Sequence, residues 1–157
     1  MGRPHIARVL VKKGFARSVP EAFRHYLVPG KPGYVARELL LPEEVMHALK
    51  QAGATTVIAH PMSLPAPTAW IGGEVARLAE AGLLDGIEAY HPEHNAAKVR
   101  YVENLAADLG LLLSGGSDYH GLVKPKISLG RGEGALRVQR ALLDKIKAHR
   151  RALGLLV

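Results

Sequence analysis

The chain has 157 residues, with 21 Lys and Arg against 14 Asp and Glu, so its formal net charge is +7 with neutral histidines. Its 48% hydrophobic and 22% charged residues are typical of a globular domain and exclude a disordered polyelectrolyte, and the lack of cysteine excludes disulfides, thiolate metal sites and cysteine nucleophiles. No stretch approaches the roughly 18 apolar residues of a membrane-spanning helix, and no signal-peptide pattern is present, which predicts a cytoplasmic protein that does not enter a membrane.

Three helices are predicted in the first third of the chain. Apolar residues at helical spacing place them at about residues 4–14, 18–27 and 42–53. Pro4 fits a first helical turn, Ser18 is a suitable N-cap, and Gly53 ends the third helix. This part of the chain is therefore predicted to be a helical segment that leads into the rest.

Strands and helices alternate after these helices. The apolar runs TTVIAH, DGIEAY and LLLSGGSD predict short strands, and WIGGEVARLAEAG and HNAAKVRYVENLAADLG predict the helices between them. Apolar strands that alternate with helices are typical of a buried parallel sheet covered by helices. The predicted fold class is α/β.

A basic amphipathic helix is predicted from about residue 135 to residue 153. Its favoured interpretation is a solvated outer face over an apolar inner stripe, and the alternative is a contact with nucleic acid or a membrane. The chain is interpreted as a single domain in three parts, at residues 1–54, 55–134 and 135–157. The apolar and basic residues of the last part are Leu136, Val138, Leu142, Leu143, Ile146, Arg137, Arg140, Lys145, Lys147, Arg150 and Arg151.

Polar residues that follow the predicted strands are candidates for a functional site, because ligands of parallel α/β folds bind at the carboxyl ends of strands. His60 follows the first strand, and Asp118 and His120 follow the third. In an extended segment, Asp118 and His120 would project from the same face. Imidazole and carboxylate together suit Mn, Fe or Zn, which favours hydrolysis. Alternatively, Asp118 caps a turn and His120 bonds a backbone carbonyl.

Three further residues are candidates for lining the site. Glu88 lies inside the second strand. Three roles are open for it there: a metal ligand, a residue that orients a metal ligand, or a buried charge paired with a neighbouring Arg. His91 and His94 could both face one site, although their spacing is also typical of an exposed loop. The remaining helical histidines lack polar neighbours in the sequence and are predicted at surface or boundary positions: His25, His47 and His149.

Five blocks in this order resemble the polymerase and histidinol phosphatase (PHP) superfamily: GRPHIARVLVKKG, SVPEAFRHYLVPGKPGYV, AGATTVIAHP, GIEAYHPEH and GGSDYHG. The similarity is greatest to metal-dependent phosphoesterases that hydrolyse nucleoside 3′,5′-bisphosphates and short RNA ends. It implies a distorted (β/α)₇ barrel, resembling a TIM barrel, with a site for two or three metals at the strand ends, usually Mn, Fe or Zn. It also implies that His60, Asp118 and His120 are metal ligands.

The same resemblance implies a substrate-binding role for the first block and for the GKP turn. Arg3 and His5 are then candidates for binding a phosphate or the leaving group, and Lys31 is a third. Arg presents a planar fork that matches phosphate oxygens, and Lys presents a mobile point charge. Alternatively, Arg3 is an exposed terminal charge and Lys31 an ordinary turn residue.

Some metal-ligating motifs of the superfamily are not in this sequence. Full-length relatives have an HxH motif followed by Asp, His and Glu ligands, so the resemblance implies that this chain is the C-terminal part of the barrel, with the N-terminal strands absent. Such a part exposes strand edges that a closed barrel removes. We therefore expect self-association or a partner that carries the N-terminal half.

Three functions follow from these observations. The first is a phosphoesterase that hydrolyses a phosphate monoester, of a nucleotide or a short RNA end, with metal-activated water. The second is a catalytically incomplete module that binds metal or phosphate and acts only with a partner. The third is nucleic-acid binding by the basic C-terminal helix, for which the chain offers few aromatic residues, with one Trp, five Tyr and two Phe.

Overall fold

The computed structural model describes residues 2–36, 40–121, 127–130 and 136–157. Contacts divide the chain into two compact units, Met1–Leu40 and Leu41–Val157. The third predicted helix therefore belongs with the strands, and the first two helices form a unit of their own. Nowhere in the described ranges is a helix both long enough and apolar enough to cross a membrane.

The first unit is a small helical unit. Helix α1 spans Arg3–Lys12, and α2 spans Val19–Ala22 and continues as a π-helical turn, Phe23–Leu27. Ser18 caps α2 as predicted, because its Oγ accepts a hydrogen bond from the Glu21 N–H at 3.3 Å. The interior of this unit is made by small side chains around one leucine: Ala7, Ala16, Ala22 and Leu27.

The second unit has the alternating strands and helices that the sequence predicts, which confirms the α/β class. Its elements are α3 (Pro42–Gln51), β1 (Val57–Ile58), α4 (Thr68–Glu80), β2 (Gly86–Tyr90), α5 (Ala96–Leu109), β3 (Leu112–Gly115) and α6 (Arg140–Ala152). A 3₁₀ turn, Pro61–Ser63, follows β1.

The three strands form one parallel sheet in the order β1-β2-β3. Val57 lies beside Gly86, and Gly86 lies beside Leu112, so the strands begin at nearly the same level. The pairing of β2 with β3 becomes irregular after Glu88. Because the strands are parallel, their carboxyl ends lie at one edge of the sheet, where the candidate residues follow them.

The core lies between the sheet and helices α4 and α5. Ile87 and Ala89 of β2 have no exposed surface, and they cluster with Val75 of α4 and Val102 of α5. Burial of an isoleucine side chain contributes about 1.5–3 kcal/mol. The best-buried strand is thus the one that carries Glu88 and leads to His91.

Strand β1 is shorter than the predicted TTVIAH strand. Thr56 pairs with Asp85 instead of entering the strand, since its N–H donates to Asp85 Oδ2 at 2.7 Å. The Thr56 carbonyl accepts the N–H groups of Asp85 and Gly86 at 2.9 and 3.1 Å. The Asp85 carboxylate therefore accepts the N–H that would otherwise bond to the backbone of the neighbouring strand. Regular pairing of β1 with β2 begins at Val57.

The predicted start of the C-terminal helix is wrong. Helix α6 begins at Arg140, and Leu136 and Val138 precede it. Residue 135 itself lies outside the described residues, but residues 136–139 are described and are not helical. Within α6, Leu142 and Ile146 are partly buried one turn apart, whereas Leu143 is 48% exposed. The helix thus has an inner side that packs on the β3 side of the sheet.

Asp85, at the amino end of β2, joins three elements of the second unit. Its carboxylate forms an ion pair with Lys50 of α3 and accepts a hydrogen bond from Thr56 Oγ1 at 3.1 Å. His149 of α6 has its Nε2 3.4 Å from Asp85 Oδ1. His149 is partly exposed, as expected of the predicted boundary position, and its polar partner is distant in sequence.

The Asp85 contacts predict a pH-dependent stability. Burial raises the pKa of Asp85, but Lys50 and the Thr56 hydrogen bonds outweigh it, so the pKa lies below its ordinary value. A lowered folded-state pKa stabilises the protein above the unfolded pKa of about 3.9, and this contribution is lost as the pH falls through the folded-state pKa.

Asp85→Asn should accordingly lower the free energy of unfolding by about 2 kcal/mol at pH 7, since it removes charged hydrogen bonds. Urea unfolding of both proteins at pH 7 and pH 3 measures this. The difference between them should shrink at pH 3, and an equal difference at both pH values would contradict the electrostatic explanation.

Candidate functional site

The loops that follow the three strands bring the predicted site residues together. The rings of His60 and His91 have centroids 4.9 Å apart, so the loops after β1 and β2 touch. His91 Nε2 lies 3.8 Å from Asp118 Oδ2, and Asp118 Oδ1 lies 3.5 Å from His120 Nδ1, which brings in the loop after β3. Residues that are up to 60 positions apart in the chain thus form one polar cluster at the carboxyl edge of the sheet.

Two members of this cluster have a left-handed backbone. His60 has φ 31° and Asp118 has φ 51°, and in the described parts of the chain no other residue except glycine has a positive φ. Such conformations cost about 1–3 kcal/mol each, and they cluster at functional sites, where the surroundings enforce them. His60 also precedes Pro61, which disfavours helical conformations of the preceding residue.

Glu88 fixes the backbone at His60. Its Oε2 accepts a hydrogen bond from the His60 N–H at 2.7 Å, across a sequence separation of 28 residues. A Cβ on Gly116 would lie 3.3 Å from the other oxygen, Oε1, so the glycine lets the β3 loop approach the carboxylate closely. Glu88 was predicted to be a metal ligand, a residue that orients another ligand, or a buried charge paired with an Arg. The hydrogen bond to the His60 backbone matches the second of these.

Asp118 and His120 are close together, but not in the way that the extended-segment argument predicts. The left-handed φ of Asp118 turns the chain, and His120 Nδ1 lies 2.7 Å from the Asp118 carbonyl oxygen. Since a carbonyl can only accept, Nδ1 carries the proton and donates it. The alternative in which His120 bonds a backbone carbonyl is therefore present, and this bond leaves Nε2 unengaged by it on a side chain that is 53% exposed.

His91 and His94 are buried, so the exposed-loop alternative for them is wrong. Their exposed fractions are 4% and 8%. His94 Nδ1 lies 2.8 Å from the Ala89 carbonyl oxygen, and burial lowers the pKa of His94, which favours the neutral ring. The ring centroids of His91 and His94 lie 5.3 Å apart, so the two side chains pack directly against each other.

Lys98 is a positioning residue that the sequence did not reveal. From α5, its Nζ donates to the Met62 carbonyl at 2.9 Å and to the Glu93 carbonyl at 3.5 Å. It thereby ties the loop after β1 to the loop after β2. A lysine on a helix has no sequence signal for this role, because both partners are backbone atoms of other loops.

The three predicted phosphate-binding residues belong to the first unit. Arg3 Nη1 donates to the Leu27 carbonyl at 3.4 Å, and the guanidinium lies 5.8 Å from the centroid of the Tyr34 ring. His5 Nδ1 accepts a hydrogen bond from the Gly2 N–H at 3.2 Å at the start of α1. Lys31 is exposed in the turn that follows the π-helical segment.

The donor atoms of the cluster suit a transition metal, but the chain does not gather enough of them. Neutral imidazole nitrogens and a carboxylate are ligands for Mn, Fe or Zn. Across residues 2–36, 40–121, 127–130 and 136–157, however, no group of three or more such side chains is arranged to hold an ion. The described residues therefore provide a partial set of donors.

Several known proteins are similar to this chain in sequence or in fold. No family model matches the chain. The 3′,5′-nucleoside bisphosphate phosphatase of Chromobacterium violaceum is 34% identical over 120 residues, 76% of this chain. The 5′-3′ exoribonuclease Rnm of Escherichia coli is 33% identical over 129 residues, 82% of this chain. The chain is thus similar to both of these enzymes over more than three quarters of its own length.

Two solved structures are similar to this chain in fold and in sequence. A protein of Bifidobacterium adolescentis that is assigned as a metal-dependent phosphoesterase matches 94% of this chain with a TM-score of 0.67 and 28% identity. An amidohydrolase of Chromobacterium violaceum with bound sulfate matches 94% of the chain with a TM-score of 0.66 and 29% identity.

The chain spans only part of the length of these proteins. It covers 42% and 43% of the two curated relatives and 50% of each of the two solved structures. The parallel strands and covering helices of the predicted partial barrel are confirmed over this length. Closure of a seven-stranded barrel stays a prediction.

Proposed function

We propose that this chain contributes to a metal-dependent phosphoesterase, which hydrolyses a phosphate monoester of a nucleotide or a short RNA end. The observation that carries the proposal is the convergence of His60, His91 and Asp118 from three different strand ends. The substrate class comes from the two curated relatives, a nucleoside bisphosphate phosphatase and an exoribonuclease. Since the sequence has no cysteine, the activity needs no oxidising compartment, and the cytoplasm stays the predicted location.

The proposed metal ligands are His60, Asp118 and His120. A divalent ion, Mn, Fe or Zn, would polarise a phosphoryl oxygen and lower the pKa of bound water. The chain's own contribution is to hold the ligands in place. Glu88 fixes the His60 backbone through its 2.7 Å hydrogen bond, and the bond from His120 Nδ1 to the Asp118 carbonyl directs the lone pair to Nε2.

The proposed phosphate-binding residues are Arg3, His5 and Lys31. A guanidinium binds two phosphate oxygens at once, and the +7 net charge of the chain favours an anionic substrate. The site-lining residues Glu88, His91 and His94 would exclude water from the other side of the cluster. Their low exposure supports this for the two histidines.

We propose that the remaining ligands come from a second polypeptide segment, either a complementary N-terminal half or another copy of these 157 residues. Strand β1 has a neighbour on one side only among the described residues. Beside it lies an apolar groove of about 220 Å³, whose lining includes Met46, Ile58 and Trp70. Trp70 is 57% exposed, and an open strand edge next to apolar surface favours association.

A second candidate function is an incomplete module that binds phosphate or metal without turnover. The observation that favours it is the lack of three converging donors in the part of the chain that the structure describes. The two functions differ in the source of the missing ligands: in the first, copies of this chain together form a site that releases phosphate, whereas the incomplete module releases none unless a partner chain supplies the N-terminal half.

One sample can test both. The chain is purified without chelator, analysed for Mn, Fe and Zn, and assayed for phosphate release from adenosine 3′,5′-bisphosphate, with light scattering at several concentrations. Bound metal with turnover in an oligomer supports the first function. Metal without turnover supports the incomplete module, and a stable monomer with neither would overturn the phosphoesterase proposal for this chain alone.

A further inference from the structure

The positive charge of the chain is concentrated in its first unit. Met1–Leu40 contains eight Lys and Arg against two Asp and Glu, a net charge of +6, whereas Leu41–Val157 contains 13 against 12. The basic helix α6 is therefore balanced by acidic residues of its own unit, and almost all of the +7 net charge is a property of the small helical unit. Such a concentration of positive charge is typical of a surface that binds a polyanion.

Four cations at and near the C-terminal end of α1 have no acidic partner in the described part of the chain. They have exposed side chains, and none of them takes part in an ion pair with a described residue: Arg8, Lys12, Lys13 and Arg17. Glu21 is the acidic residue that the structure describes in this unit, and its Oε2 accepts the backbone N–H of Arg17 at 2.6 Å. The cationic side chains are thus available to an external anion.

Phe15 lies among these cations with an exposed ring. Its side chain is 60% exposed, whereas the other phenylalanine of the chain, Phe23, packs against the core of the first unit. Both polar backbone groups of Phe15 are bonded: its N–H donates to the Leu10 carbonyl at 2.9 Å, and its carbonyl accepts from Tyr26 Oη at 3.2 Å. Since an aromatic side chain has only two χ angles, the ring loses little freedom when a ligand covers it.

An exposed ring among unpaired cations matches single-stranded nucleic acid. Bases stack on aromatic rings while cations contact the phosphates of the same strand. Lys12, Lys13 and Arg17 lie within three positions of Phe15, so their Cα atoms are at most about 11 Å from its Cα. Protein interfaces are enriched in aromatic residues but depleted of lysine, which makes a protein partner a poorer match.

We propose that Phe15 and the cations Lys12, Lys13 and Arg17 form a binding surface for single-stranded RNA, in which a base stacks on the Phe15 ring and the cations bind the neighbouring phosphates. The choice of RNA rests on the proposed function, in which a short RNA end is a substrate. This surface is separate from the proposed phosphate-binding residue Arg3, which lies about 14 Å from Lys12 along the axis of α1.

The first test measures stacking. The full chain is titrated, with EDTA present, into a fluorescein-labelled single-stranded RNA of ten nucleotides without self-complementarity, and binding is followed by fluorescence anisotropy. Phe15→Leu, which keeps an apolar side chain but removes the ring, should weaken binding roughly 5- to 100-fold, and Phe15→Tyr should retain the affinity within about twofold. An unchanged affinity in Phe15→Leu, or an equal loss in both variants, would overturn the proposal.

Duplex RNA of the same length separates stacking from charge. Its bases are already stacked within the helix, so they are not available to the Phe15 ring. Phe15→Leu should therefore leave the affinity for the duplex at the wild-type level. An equal loss of affinity for the duplex and the single strand would contradict the stacking role.

The cations are tested by the salt dependence of binding. Each phosphate contact to a single strand contributes about 0.7 to the slope of log K against log salt concentration. A variant that combines Lys12→Gln, Lys13→Gln and Arg17→Gln should thus reduce this slope by about 2. An unchanged slope would show that these residues do not contact the phosphates.

The matched control removes three exposed cations of α6, with Arg140→Gln, Lys145→Gln and Arg151→Gln in one protein. The change in net charge is the same, so an effect of overall charge alone would appear in both triple variants. The control should leave the slope at the wild-type value. An equal reduction in the control would contradict a surface confined to the first unit.

An anionic membrane is the alternative occupant, because basic and aromatic residues also bind lipid surfaces. Binding to vesicles of phosphatidylserine and phosphatidylcholine is measured for the wild type and Phe15→Leu. Vesicle binding that depends on Phe15, together with an RNA affinity that does not, would assign the surface to a membrane and overturn the proposal.

The RNA measurements also separate this inference from the proposed function, since they are made with EDTA and need no turnover. Binding of RNA that requires Phe15, in a protein that releases no phosphate, supports the surface while the phosphoesterase proposal fails. Phosphate release from adenosine 3′,5′-bisphosphate by a wild type that does not bind the RNA overturns the surface and leaves the proposed function in place.

Discussion

Asp118→Ala is expected to lower metal-dependent phosphate release by more than about 1,000-fold, because the loss of a metal ligand removes several kcal/mol of transition-state stabilisation. The carboxylate lies 3.8 Å from His91 and 3.5 Å from His120, so its removal also takes away a contact between the loops after β2 and β3. The measurement is phosphate release with and without added Mn, together with the metal content of each protein. Where the chain alone shows no turnover, the metal content is the deciding quantity.

Asp108→Ala is the matched control for this experiment. Asp108 is an exposed carboxylate on α5 in the same unit, so the substitution makes the same chemical change away from the strand ends. It should leave metal content and phosphate release at the wild-type level. Metal-dependent release that persists in Asp118→Ala would show that the assignment of this ligand is wrong.

The proximity of the candidate site residues could be predicted from the sequence because it depends on local patterns. Apolar runs of strand length are followed directly by His60 and by Asp118, and parallel strands place their carboxyl ends at one edge. The cap at Ser18 was predictable for the same reason, since its partner Glu21 is three residues away. Structural features whose partners lie within a few residues of each other in the sequence, such as this helix cap, could be predicted.

The internal arrangement of the site depends on partners that are distant in sequence. Glu88 bonds the backbone of His60 from 28 residues away, and the spacing of neither residue predicts this. The burial of His91 results from packing between His60 and His94, whereas its local sequence resembles an exposed loop. The left-handed backbone of Asp118 made the extended-segment argument fail, although the two side chains still lie near each other.

Gly115→Ala is expected to lower the free energy of unfolding by about 3 kcal/mol, at the upper end of the usual cost of overpacking. An added Cβ would lie 2.6 Å from Tyr90 Cβ and 2.8 Å from the Tyr90 carbonyl oxygen. Neither of these atoms can move without the backbone of β2. The substitution should therefore push β3 away from β2 at the edge where Gly116 approaches Glu88, and so disturb the site as well as the stability.

Gly73→Ala provides the control, because a Cβ at this position in α4 has no neighbour within 4 Å. An alanine in the interior of a helix is more favourable than a glycine by up to about 1 kcal/mol, so this variant should be as stable as the wild type or more stable. Urea unfolding measures both variants. Since Gly115 and Gly73 differ in what surrounds the added methyl group, equal stability changes would contradict the close contact between β2 and β3. A large loss in Gly115→Ala alone, with displaced resonances of His91 and Asp118, would tie the fit of the two strands to the geometry of the site.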